Sequence, residues 1–374
     1  MENLKKNRKI YISVAVVVLA ALIMIIVHKI YDRNRTFDSY KVEYTMEISD
    51  GVDNEFYPYK TGVLKYSSDG MAYIDGGKEI WNQGFEIKNP VMDICGDYVA
   101  IAEEDSNDIN IYNASGEAYK VSASYPVKNL EVSRQGVVAA VLADETANYI
   151  EVIAKDGTQI AIGRTVLQGD GYPVDISISE DATKVAASYL AVTSGEIQSK
   201  IVFYNYSEVG KNETDRIVGG FNDFEDSLIP DIEFINENTV AAIGDNIIAI
   251  YSIDETPSEV ARIKVKNEIQ SVVYDDKYIA LVVKNDESGK NMLQVYDLTG
   301  KKVLSQEEEF AYSGIKMSDG NIIMYNDTEC KVVSVAGVTK FKYNFTMGIT
   351  SIVPVSGEEF IFISGKNVQK ILLN

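Results

Sequence analysis

Repeated short apolar runs, hairpin turns between them and an aromatic, β-branched composition predict an all-β fold. Its form is a β-propeller of about eight four-stranded blades, behind one N-terminal transmembrane helix. The runs recur at spacings of about 36 to 55 residues, the length of one four-stranded blade. Tyr occurs 24 times among 374 residues, with 12 Phe and a single Trp, which favours strands over helices. A unit of this size cannot bury its apolar face alone, so its neighbours must complete it. Seven blades is the alternative count.

Residues 93–117, DICGDYVAIAEEDSNDINIYNASGE, set the pattern: strand, turn, strand, turn, strand. Near-continuous apolar runs such as VAIA suit strands covered on both faces, and alternating runs suit outer strands. Asp-Gly and Gly-Gly pairs, as at Asp156-Gly157 and Gly76-Gly77, supply positive φ for hairpins. A third strand ending in Tyr then Asn, Ser or Asp recurs at Tyr112, Tyr204, Tyr251 and Tyr296.

In chain order, residues 1–9 form a basic tail with Lys5, Lys6, Arg8 and Lys9. Residues 10–30 follow as a transmembrane anchor, uncharged as far as Val27 and long enough to cross a bilayer. No small-x-small cleavage site follows the run, so an uncleaved anchor is expected instead of a signal peptide. The slight excess of cations before it points to a cytoplasmic N-terminus with the propeller outside. Residues 31–39 are a short polar linker and 40–374 the propeller. Its units are 60–89, 90–125, 126–172, 173–226, 227–266, 267–309, 310–345 and 346–374. Residues 49–59, which contain Asp50-Gly51 and Pro58, are expected to be a loop. The last unit is one strand short and the strand 40–48 stands alone. Their pairing would close the ring and remove two exposed edges.

The net charge of −21 excludes a nucleic-acid partner, since phosphate neutralisation needs clustered Lys and Arg. The one histidine, His28, falls at the end of the anchor. The domain therefore has no Ser-His-Asp or Cys-His arrangement and no His-ligated metal. No phosphate-binding glycine loop is present. Glu103, Glu104, Asp105 and Asp108 lack the spacing of an EF-hand loop and read as a solvated hairpin tip. Cys95 and Cys330 read as small core residues. No catalytic residue, metal site or cofactor is expected.

The links between one unit's last strand and the next unit's first form the candidate binding surface. Aromatics recur there at Tyr125, Tyr172, Phe224, Phe310, Tyr312 and Phe345. The longest link, residues 219–228, adds Phe221, Asp223, Glu225 and Asp226, a combination suited to a peptide or a cationic partner. The alternative is that these aromatics seal adjacent blades.

The expected function is a protein- or peptide-binding scaffold, held in the lipid bilayer through residues 10–30 and not an enzyme. The alternative is a cell-surface carbohydrate-active enzyme using paired carboxylates.

These units resemble the WD40-like and quinoprotein-like propeller superfamily over residues 40–374. The WD40 signature is missing, because there is no Gly-His pair and Trp81 is not followed by Asp. A basic tip, one anchor helix and an acidic propeller also resemble an uncharacterised family of single-pass proteins from Gram-positive bacteria. The resemblance implies fold and location and brings no functional residues.

Overall fold

The computed structural model describes residues 34–374, apart from 50–53, 68, 194 and 286–288, together with 18–20, 23, 24 and 31. The expected anchor 10–30 and His28 lie almost wholly outside the described residues. Among those described, no helix is long and apolar enough to cross a membrane.

Eight four-stranded antiparallel sheets follow one another along the chain. Seven are simple meanders of consecutive strands. The eighth joins both ends of the domain: Tyr40–Glu47 is its outermost strand and pairs with Asn367–Leu373, from Tyr40 opposite Leu373 to Glu47 opposite Asn367. The ring of eight is therefore closed by hydrogen bonds between chain segments more than 300 residues apart. No blade is left with three strands.

Packing shows the same closure. The buried apolar side chains fall into eight clusters, each bridging two neighbouring blades. One joins Ile361 and Ile363 of blade 8 to Val63 and Ile74 of blade 1. The second strands, close to the axis, are covered on both faces. In blades 2 to 6 they carry fully buried alanines, among them Ala100, Ala140, Ala187, Ala242 and Ala280. Blades converge toward the axis, so small side chains there let the backbones approach at interior packing density. The recurrent third-strand tyrosines Tyr112, Tyr204, Tyr251 and Tyr296 are buried between blades.

The first blade differs from expectation. Residues 55–59 are not loop but its innermost strand, Glu55–Tyr59, paired with Gly62–Ser67. The blade's outer strand ends at Gly84, and residues 85–87 lie outside the sheet. Pro58 argued against a strand because proline cannot donate to a ladder. An innermost strand has one unpaired edge, and there the missing N–H costs nothing. The predicted Gly-Gly hairpin does form: Gly76 and Gly77 both take positive φ, 55° and 73°, as a type I′ turn requires.

Removal of residues 40–47 exposes the edge of Asn367–Leu373 and strips cover from Phe37, Phe345 and Ile371. The truncated domain is expected to aggregate or to melt at least roughly 5 °C lower. A melting curve unchanged by the deletion would refute the closure.

Candidate functional site

First strands of neighbouring blades approach one another around the axis, so whatever they carry on their channel side meets there. Blades 2 to 5 all carry carboxylates: Asp93 on Pro90–Cys95, Glu131 on Val127–Val132, Asp175 on Tyr172–Ile178, and Asp231 with Glu233 on Asp231–Asn236. Strand alternation puts them there. Glu131 lies between buried Leu130 and Val132, and Glu233 between buried Ile232 and Phe234. Each keeps a little surface open to channel water while protein surrounds the rest of it.

Two of the carboxylates hold the ring together. Asp93 accepts the backbone N–H of Val132 on the next blade at 2.8 Å, and Asp175 that of Ile232 at 2.9 Å. Asn129 donates to the second oxygen of Asp175 at 2.9 Å, and Ser177 accepts the N–H of Phe234 at 3.0 Å. These bonds satisfy edge N–H groups of innermost strands, which no neighbouring strand reaches. Glu131 and Glu233 accept no hydrogen bond among the described residues. Burial, then repulsion from the other carboxylates, holds both well above the usual carboxylate range. Burial outweighs the backbone hydrogen bonds at Asp93 and Asp175 and lifts each to about 6. Burial lifts Asp231 as well.

The opposite wall is different. Tyr274 of blade 6 is raised by burial and then by Glu233, Asp231, Glu131 and Asp175, so blades 3, 4 and 5 act on one shared space, and the repulsion between Asp93 and Glu131 joins blade 2 to it. Lys316 of blade 7 lies on the far side, four blades from Glu131. Burial alone lowers it to about 8, with no carboxylate to offset that. Its Nζ donates to the Phe56 carbonyl at 3.4 Å. The channel thus has an acidic wall over four consecutive blades and one buried amine on the other wall. Such a surface attracts cations at neutral pH. Among the described residues no three acidic, Cys or His side chains converge closely enough to hold a metal ion.

The ten residues of the predicted surface are placed at several separate blade junctions. Phe224, Phe310 and Phe345 are buried between blades, and Phe345 stacks on Phe362 at 4.6 Å. Tyr125 stacks on Tyr149 at 4.1 Å, and Phe221 packs on Tyr251 at 4.6 Å. Tyr312 shares a hydrogen bond with Ser271 at 2.8 Å. Tyr172 is exposed. In the 219–228 link, Asp223 pairs with Arg262 at 3.0 Å and Glu225 with Lys264 at 2.7 Å, while Asp226 stays exposed. Arg262 also lies over the Phe224 ring. This link gathers five of the ten, and Arg262 and Lys264 on the outer strand of blade 5 neutralise two of its three acids. At the 103–108 tip, Lys128 takes up Glu104 and Asp105.

Sequence reasoning missed the channel carboxylates, although Asp93 opens the stretch that defined the repeat. The available signal was a carboxylate on the first strand of four successive units.

Closure into eight blades around an acidic channel defines the class, an eight-bladed β-propeller. The chain belongs to a family of unknown function, DUF5711, whose model matches residues 33–373. A search of curated proteins finds no match. Among solved structures, BamB from Moraxella catarrhalis is similar over 90% of this chain and 98% of its own, with a TM-score of 0.56 and 11% identity. Sqt1 from Chaetomium thermophilum is similar over 89% and 98%, with a TM-score of 0.56 and 10% identity. At these identities the likeness is one of fold.

An unfolded carboxyl group titrates near 4, so from the raised values down to about pH 4 the folded chain holds protons that the unfolded chain releases. Thermal stability is therefore expected to rise as pH falls from 8 through about 6 and to level off near 4. Glu131→Gln or Glu233→Gln removes a member of the repelling set. Each is expected to raise the melting temperature at pH 8 by roughly 2 °C or more and to flatten the pH slope. Calorimetry at pH 5 and pH 8 checks both; a wild-type domain that melts lower at pH 5 would contradict the assignment.

Proposed function

We propose that this protein is a membrane-anchored, extracytoplasmic propeller. It binds a protein or peptide partner as a scaffold and carries out no catalysis. The observation that carries the binding reading is the acidic channel wall: Glu131 and Glu233 sit among other carboxylates with no counter-cation among the described residues. A partner segment bearing Lys or Arg would supply the missing charge and relieve the mutual repulsion. The rigid ring supports the same reading, since it holds many loops at fixed positions, an argument from fold alone.

Anchoring is supported by the run 10–30. Its described residues Val18, Leu19, Ile23 and Met24 are helical and leave more than half of their apolar side-chain surface uncovered. Lipid is the solvent that suits such a helix.

A second reading draws on the same carboxylates. Hydrolysis of a glycan needs an acid and a base facing one cleft, and the channel gathers carboxyl groups with raised proton affinity. Release of reducing sugar from cell-surface glycan by the purified domain, abolished by Glu131→Gln, would replace the scaffold with a hydrolase.

Two measurements test the proposal. The full chain is expected to stay with membranes through alkaline carbonate extraction. Crosslinking in intact cells is expected to capture a discrete protein partner, several-fold less in a Glu131→Gln, Glu233→Gln variant and less as salt rises. Recovery of lipid alone, or of nothing, counts against the scaffold.

A further inference from the structure

Residues 35–39, just ahead of the closing strand, are held against the ring. Phe37 is buried in the cluster between blades 7 and 8. Its N–H donates to the Lys340 carbonyl at 2.6 Å, and it forms an isolated parallel bridge with Phe341 on the outer strand of blade 7. Arg35 lies over the Phe37 ring and reaches Glu358 of blade 8 at 3.4 Å. Ser39 and Asn374 exchange backbone hydrogen bonds at 3.3 and 2.9 Å. Residues 35–39 thus strap the rim of the ring across the junction of blades 7 and 8 and run directly into the closing strand.

Chain length turns the strap into an orientation. Four residues lie between Ile30 and Arg35; the five Cα-to-Cα steps, fully extended, span at most about 18 Å. A compact domain of roughly 340 residues is about 50 Å across. The tether is therefore much shorter than the body it holds, and the point of attachment cannot swing far from the membrane.

We infer that the propeller stands with the rim of blades 7 and 8 against the bilayer surface, its partner there the lipid headgroups, and with blades 3 and 4 farthest away. This rests on the anchoring proposed above. Charge fits the placement. The outer strand of blade 7, Thr339–Asn344, carries Lys340 and Lys342 with no carboxylate, in a chain of net charge −21. Lys342 is exposed on it, whereas the adjoining closing strand carries exposed Lys41 together with exposed Glu43 and Glu47, so the cationic edge is that of blade 7. Anionic headgroups attract this edge and repel the rest of the acidic body. The orientation leaves the acidic wall, on blades 2 to 5, on the side of the ring away from lipid.

The experiment uses the full chain in vesicles of phosphatidylcholine and phosphatidylglycerol containing a headgroup-tethered nitroxide quencher. A fluorophore is attached at Lys342→Cys or at Ile162→Cys, the latter on the outer strand of blade 3, four blades away. Cys330 is buried and Cys95 partly buried, and both are replaced by Ala in each labelled chain so that only the introduced thiol reacts. Quenching is expected to be several-fold stronger at position 342 than at 162. Equal quenching in a chain that resists carbonate extraction overturns the orientation and leaves the anchoring intact; a chain that does not float with the vesicles overturns both. Insertion of about twenty Gly and Ser residues between positions 33 and 34 frees the tether and is expected to erase the contrast. A contrast that survives the insertion overturns the short tether as its cause.

Discussion

No blade of this protein has a core of its own. Every large apolar cluster lies between two sheets, so each blade is stable only while both neighbours are present. That dependence closes on itself only in a ring. The hydrogen bonds between Tyr40–Glu47 and Asn367–Leu373 provide the closure, and the contact of blade 8 with blade 1 depends on it. The strap formed by residues 35–39 adds Phe37 to the same junction, so the closing segment and the segment leading to the apolar run are continuous.

Each four-stranded sheet keeps two edge strands, one at the rim and one innermost, and the free N–H groups of the innermost strands face the channel. Carboxylates and hydroxyls from the neighbouring blade answer some of them, as Asp93 does for Val132 and Asp175 for Ile232. Bringing acids from four blades to one axis concentrates negative charge where water is scarce. Protons are then held more tightly, and a cation would be held for the same reason. Lys316 is too far round the ring to neutralise the acids, and its own burial favours the uncharged amine. Structural satisfaction of the edges and electrostatic character of the channel are therefore consequences of one arrangement. Glu131, Asp231 and Glu233 bond to no edge N–H among the described residues.

Much of the architecture was legible because it rests on local patterns. The apolar runs, the Gly-Gly and Asp-Gly turns and the third-strand tyrosines are each readable within a few residues, and together they specify repeated four-stranded sheets. The strand Glu55–Tyr59 was not legible, since Pro58 removes a donor and only a position at the channel makes that loss harmless. The candidate site was less legible still. Phe224, Phe310 and Phe345 recur at corresponding links because they fill blade junctions, a packing demand that leaves the same trace in sequence as a binding surface would. Asp93, Glu131, Asp175 and Glu233 are separated by 38 to 58 residues from one to the next, so nothing local marks them as neighbours.

What the sequence determined by itself is the strand repeat, the acidic balance of the domain and the apolar run ahead of it, since each is a property of composition or short-range periodicity. Only the tertiary structure decided which carboxylates share a channel, which aromatics are sealed between blades and how residues 35–39 tie down the rim. The physical reason is the ring. It brings together the first strands of blades far apart in the chain, and the energies of charge, burial and hydrogen bonding there depend on separation in space and not along the sequence.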